Sequence, residues 1–267
     1  DEMRILVSSG VLCVAVCFGA PAWAQETETP STRFLVTQVV LEPSSMAEAD
    51  AAWLDMMREA TAGGYDAPLN VFKDGAERWY SAPIGEDYAG LDTMFAARRE
   101  AISGNEAFET AWDTYSAARR EVRSMIVTFD PELSYRSDDV REEGENYMEL
   151  FGISARMGYG DELEGIMAEW REAHEAAGIE RGYWVYSRGI GDVPGYYVVA
   201  YSENPVDAAT RSAAEWEALE AAYDIQDLMT RTNAVISEMS ERDMWYAPDF
   251  SLPLPSEGVS SMESSSD

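Results

Sequence analysis

Residues 33 to 41, RFLVTQVVL, carry apolar side chains on both faces of an extended strand: Phe34, Val36 and Val40 on one, Leu35, Val39 and Leu41 on the other. A strand covered on one side only alternates more cleanly, so the pattern predicts a sheet with helices on one face and apolar material on the other. Beyond it, Ser45 and Glu48 form a capping-box pattern, Trp53, Leu54, Met57 and Thr61 share a helical stripe, and Gly63-Gly64 is a stop. Short strands follow at Leu69–Lys73 and Arg78–Ala82 around an Asp74-Gly75 turn. A long helical stretch is predicted from Glu86 to Met125, broken near Gly104-Asn105, then a strand over Ser124–Phe129 that Pro131 stops.

The same succession recurs downstream. YMELFGISARM from Tyr147 reads as a strand, and GDELEGIMAEWREAHEAAGI as a helix whose face carries Leu163, Met167, Trp170 and His174 before Gly178 ends it. Asp161 and Glu164 repeat the capping pattern. RGYWVYSRG and GYYVVAYS form a hairpin with aromatic and β-branched residues on both faces. Asn204 and Pro205 suit the N-cap and first turn of a helix pair reaching Ser240, and Asp243–Tyr246 closes the set as a strand. MREAT at Met57 falls on WREAH at Trp170, a shift of 113, which also lays Phe34 on Tyr147 and Thr61 on His174. FDPELS at Phe129 falls on YAPDFS at Tyr246 with a shift of 117. A repeat this long is a small domain rather than a solenoid unit.

Each half is therefore β-α-β-β-α-β, an α+β ferredoxin-like arrangement with helices on one sheet face only. Packing two such sheets together inside one chain buries the remaining faces. The expected divisions are a leader over 1–24, a tether over 25–32, units over 33–135 and 146–252, an acidic connector over 136–145, and an acidic, Ser-rich tail over 253–267.

Composition narrows the function. Asp plus Glu outnumber Lys plus Arg 50 to 19, a net charge of −31, which argues against nucleic acid and anionic membranes, whose binding needs clustered cations. Met3-Arg4, the apolar run to Ala20 and PAWAQ make a signal-peptide pattern with cleavage expected after Ala24, hence a periplasmic or secreted protein. Both cysteines, Cys13 and Cys17, lie in that leader, so neither disulfide nor thiol chemistry is expected of the exported chain.

The second half resembles the dimeric α+β barrel superfamily, and its NIPSNAP-like members in particular, through GDELEGIMAEWREAHEAAGI followed by an aromatic hairpin; AFETAWDTYSAARREVRSM in the first half is similar to their second-helix region. The resemblance implies a barrel of facing sheets. Relatives include cofactor-free monooxygenases, haem-degrading enzymes, haem-dependent chlorite dismutases and proteins without known activity, so a shared fold does not fix the chemistry.

The candidate site residues are few. His174, the single histidine, points from its helix toward the sheet, either as an acid-base group or haem ligand beside a cavity or as a hydrogen-bonded closure of the helix end. Trp184, Tyr186, Tyr197, Tyr201, Trp245 and Tyr246 could line a pocket for a flat ligand or fill the inter-sheet core. Arg188 could hold a ligand carboxylate or pair with a surface acid. GIGDVPG, Gly189 to Gly195, lies between strands and lacks the helix a phosphate cradle needs; the connector lacks a calcium-loop pattern; no G-x-S-x-G and no second histidine support hydrolase or zinc chemistry. The expected function is binding of a small apolar or aromatic ligand without a cofactor, with a pocket in the second half and homo-oligomers left open. The alternative is a cofactor-independent monooxygenase or haem-related oxidoreductase working through His174.

Overall fold

A computed structural model describes residues 32–139, 141–142, 144–190 and 194–252. The expected leader, its two cysteines, the tether up to residue 31 and the tail from 253 lie outside the described residues. Among the described residues, eight strands form one closed antiparallel barrel. Their chain order is β1 (Arg33–Leu41), β2 (Asn70–Asp74), β3 (Glu77–Gly85), β4 (Arg119–Tyr135), β5 (Tyr147–Ala155), β6 (Tyr183–Arg188), β7 (Gly195–Ser202) and β8 (Ile236–Tyr246). Six α-helices among the described residues cover the outside: α1 (Met46–Ala62), α2 (Ala89–Ile102), α3 (Glu106–Ala117), α4 (Gly160–Ala177), α5 (Pro205–Ala222) and α6 (Ile225–Val235).

Around the barrel the order is β1-β3-β2-β8-β5-β7-β6-β4. Each half contributes a sheet with its first and third strands central. The two sheets join edge to edge, Phe72 against Tyr246 at one seam and Phe129 against Tyr186 at the other. Because every neighbour is antiparallel, β1 and β5 run the same way, and the starts of both face one mouth of the barrel.

Three apolar layers result, as the doubly apolar strands require. Leu41, Trp53, Met56, Val71 and Tyr80 bury between α1, α3 and the outer face of the first sheet. Leu163, Ile166, Met167, Val185 and Leu228 do the same in the second half. Val36, Phe72, Trp79, Met148, Leu150, Val199 and Met244 fill the barrel. The helix ends follow local chemistry: the Asn105 and Asn204 side chains each accept from backbone N–H groups in the first turn, and Gly178 takes the left-handed conformation (φ 64°) after α4.

Several expectations are corrected. Ser45 makes no side-chain cap, nor does the residue preceding α4; a 3₁₀ turn at Pro43–Ser45 leads into α1 instead. The helical stretch expected to reach Met125 ends at Ala117, and β4 begins at Arg119; likewise β8 begins at Ile236, well before Asp243. Pairing with β1 and β5 supplies the backbone partners that override helix-favouring RREVRS and SERD. Pro131 does not stop β4, because it falls in the register shift between Asp130 and Tyr135, where no ladder N–H is needed. The shift of 113 is one residue out for strand and helix: Val36 and Leu150 both point inward, as do Phe34 and Met148, an offset of 114. Buried Ala49, Ala52 and Trp53 likewise match Leu163, Ile166 and Met167. An odd offset would exchange the two faces of the strand. The position matching His174 is thus buried Ala60, not Thr61.

Candidate functional site: an aromatic cavity inside the barrel

The barrel encloses a cavity of about 500 Å³. Its mouth is formed where β1, β2 and β6 begin and β3 and β4 end, at Thr32, Asn70, Pro83, Ser137 and Asp138. Val36, Val127, Leu150 and Val199 give it aliphatic walls, and Phe34, Phe72, Trp184, Tyr186, Tyr197 and Tyr201 give it rings. Alternation places these rings. In YWVYSR, Trp184 and Tyr186 turn inward while Tyr183 and Val185 bury against α4, so both faces of β6 are apolar for different reasons.

The rings hold each other edge-on: Trp184 meets Tyr201 at 5.7 Å between centroids and 80° between planes, and Phe34 meets Tyr186 at 5.6 Å and 86°. Trp184 is fixed by donating its Nε1–H to the Ser137 carbonyl at 2.6 Å. The Tyr186 and Tyr201 hydroxyls, by contrast, bond to no described residue, although both rings are among those lining the cavity. Burial pushes both phenols well above their ordinary range, so they stay protonated and available as donors.

The far end of the interior is polar and spanned. Trp79 and Tyr197 meet edge-on at 5.9 Å, the Tyr197 hydroxyl donates to the Met125 sulfur at 3.5 Å, and Glu77 accepts from Trp79 Nε1 at 2.5 Å, from Arg242 at 2.6 Å and from Gln38. Arg188 belongs to this end: its guanidinium lies 4.7 Å over the Tyr197 ring and donates to the Ser154 hydroxyl at 2.9 Å.

The structure brings Trp184, Tyr186, Tyr197 and Tyr201 together around one space, with Tyr246 packed on the same cluster. Trp245 faces the other way, against Tyr147 at 5.2 Å. His174 sits outside the barrel, in the layer between α4 and the second sheet. Its Nδ1 is 2.7 Å from the Trp170 carbonyl, and Tyr135, Trp170 and Tyr183 surround its ring at centroid distances of 5.1–6.3 Å. Burial lowers its pKa, so the ring is held neutral and donates through Nδ1–H. The first half, expected to be without a pocket of its own, supplies Phe34, Asn70 and Phe72 to a shared cavity, and the connector adds Asp138. The alternating Phe34-Val36 and the aromatic Phe72 and Trp79 in short strands were the available signals.

A haem held by His174 does not fit these residues, because the Tyr135, Trp170 and Tyr183 rings occupy the space around the imidazole. The cavity lining itself offers no histidine, cysteine or lysine.

No family model matches the chain, and no curated protein matches it in sequence. Solved structures match in shape. A monooxygenase described as putative from Lactobacillus acidophilus is 8% identical with a TM-score of 0.50, over 85% of this chain and 97% of that one. A second of that description from Fusobacterium nucleatum is 10% identical with a TM-score of 0.54, over 82% and 94%. An anthrone oxidase-like protein is 12% identical with a TM-score of 0.51, over 82% and 92%. Identities this low speak to fold alone, and the fold they share with this chain is the dimeric α+β barrel, here closed by two ferredoxin-like halves of one polypeptide.

Proposed function

We propose that the barrel is a binding compartment for a small, neutral, planar aromatic molecule that carries a hydrogen-bond acceptor such as a ketone or quinone oxygen. The observation that carries this reading is the pair of phenolic hydroxyls, Tyr186 and Tyr201, which line an aromatic cavity and bond to no partner among the described residues. Neither hydroxyl is sealed from solvent, so each is a donor that a ligand acceptor can take in place of water. A neutral ligand suits the lining, whose ionisable groups are tyrosines and Asp138; the Arg141 and Arg188 guanidiniums lie over the Tyr201 and Tyr197 rings and are not themselves lining residues. A volume of about 500 Å³ lies within the ordinary range for small-molecule sites. Trp184 and Tyr197 supply ring faces in this reading, and Arg188 orients Tyr197 from the far end.

Catalysis through His174 has no comparable support, because its ring lies on the other side of the second sheet from the cavity. The export implied by the leader pattern completes the proposal: an extracytoplasmic carrier or sensor of an aromatic compound.

The test uses 9-fluorenone and its carbonyl-free counterpart fluorene, followed by quenching of tryptophan fluorescence. Fluorenone should bind more tightly than fluorene by about five- to tenfold, the worth of about one hydrogen bond, and the Tyr186→Phe/Tyr201→Phe double variant should remove that difference. Equal affinities for the two compounds in the unmodified protein would sink the reading.

A further inference from the structure

A second cleft lies outside the barrel, between the first sheet and the helices of the first half. It holds about 150 Å³ and is lined by Val39, Met57, Tyr65, Tyr80, Met94 and Phe95 among others, with the Arg98 and Arg119 side chains at its rim. Two independent observations single it out.

The first is the helix above it. Among the described residues of α2 not one side chain is buried, although Leu91, Met94, Phe95 and Ile102 are apolar, and Phe95 is 38% exposed. The other helices each bury at least two side chains. Helix α2 is anchored at its ends instead. A Cβ on Gly90 would lie 1.6 Å from the Ile84 carbonyl oxygen, and one on Gly63 would lie 1.9 Å from that of Ala101. Its middle thus bridges an apolar space that its own side chains leave unfilled.

The second is charge. In a chain with 50 acidic residues against 19 basic ones, Arg98 has no carboxylate within ion-pair distance and no hydrogen-bond partner among the described residues. Its guanidinium lies over Phe108 at 6.0 Å and Trp112 at 5.8 Å. Arg119 lies over the same Trp112 at 4.7 Å and donates only to the Ser116 hydroxyl, at 2.9 Å. Partial desolvation lowers the Arg98 pKa, as expected for a cation short of counter-charge. Elsewhere Arg181 and Arg78 are paired with Glu149, Glu215 and Asp50. Two guanidiniums left without acids at the edge of one apolar cleft form an incomplete anion site.

We infer that this cleft binds a small aromatic or short-chain aliphatic monocarboxylate, its apolar part under α2 and its carboxylate on Arg98 with Arg119 nearby. Apolar cavities of about 150 Å³ admit a benzene-sized guest, and the planar guanidinium fork matches a carboxylate. The site is separate from the barrel cavity, which has no cation in its lining and shares no residue with this cleft.

The probe is benzoate, titrated into full-length protein carrying ¹³C-methyl methionine, with benzyl alcohol as the uncharged control. The expected result is movement of the Met57 and Met94 methyl signals while Met148, in the barrel, stays still, with benzoate bound about tenfold or more tightly than benzyl alcohol. Arg98→Gln should erase that preference and Arg98→Lys should keep part of it. Because α2 buries no side chain, these variants should retain the parent circular dichroism. Should Arg98→Gln fail to fold, the benzoate-to-benzyl alcohol ratio and the methyl pattern of the unmodified protein decide alone. Equal affinity for the two probes, no response of Met57 and Met94, or movement at Met148 instead would overturn the assignment, and none of these outcomes bears on fluorenone binding in the barrel.

Discussion

Two tyrosine hydroxyls in similar-looking aromatic clusters should differ sharply in what their removal costs. Tyr80 and Tyr115 bond to each other at 2.7 Å in the layer between α1, α3 and the first sheet, where the two residues are 7% and 2% exposed. Tyr80→Phe leaves the Tyr115 hydroxyl buried without its partner, a loss of about 1–3 kcal/mol. Tyr201 is equally buried at 3% exposed, yet its hydroxyl has no described protein partner. Tyr201→Phe breaks no internal hydrogen bond and preserves the edge-on packing on Trp184, so stability should change by no more than about 0.5 kcal/mol in either direction. Urea unfolding followed by far-UV circular dichroism, with both variants fitted to a common slope, measures the contrast. A Tyr201→Phe loss above about 1 kcal/mol, comparable to that of Tyr80→Phe, would show that the hydroxyl serves the fold and is not spare.

Other consequences follow from named contacts. Arg78, 2% exposed, joins Asp50 through Nε and Nη2 and donates to the Gly75 and Glu77 carbonyls; Arg78→Ala should cost about 1–3 kcal/mol in the same urea assay, since the two carbonyls lose their donor while Asp50 keeps Lys73 at 2.7 Å. Burial lowers the His174 pKa in the folded state, so the unfolded chain binds the extra proton first; stability should be full above about pH 6.5 and fall as pH drops below it, and His174→Gln should lose that part of the thermal-unfolding pH profile. Gly63→Ala forces a Cβ against the Ala101 carbonyl and should cost about 1–3 kcal/mol while raising amide exchange along α2, read by hydrogen exchange.

The strand RFLVTQVVL was legible to its ends, because apolar residues on both faces admit little besides a doubly covered strand. Asn204-Pro205 and Gly178 marked their helix ends for equally local reasons. Arg119–Ser124 and Ser237–Arg242 were not legible. Their charged and helix-favouring residues are exposed on both faces, and only the partners β1 and β5, distant in sequence, make them strands. The helical stripe showed that His174 faces the sheet, but a stripe carries no information about which side of that sheet encloses space. Half of the cavity was hidden for a related reason. Phe34 and Phe72 become neighbours of Tyr186 and Tyr201 only when two sheets close edge to edge, and that closure is a property of the pair rather than of either half.

Intermolecular nuclear Overhauser effects between 9-fluorenone and the methyl groups of the protein locate the ligand without intermediaries. Contacts to Met148, Leu150 and Val199, which line the interior of the barrel, are the predicted result. Contacts confined to methyls outside the barrel, such as Leu163 or Ile166 on the buried face of α4, would contradict the claim that the barrel is the binding compartment.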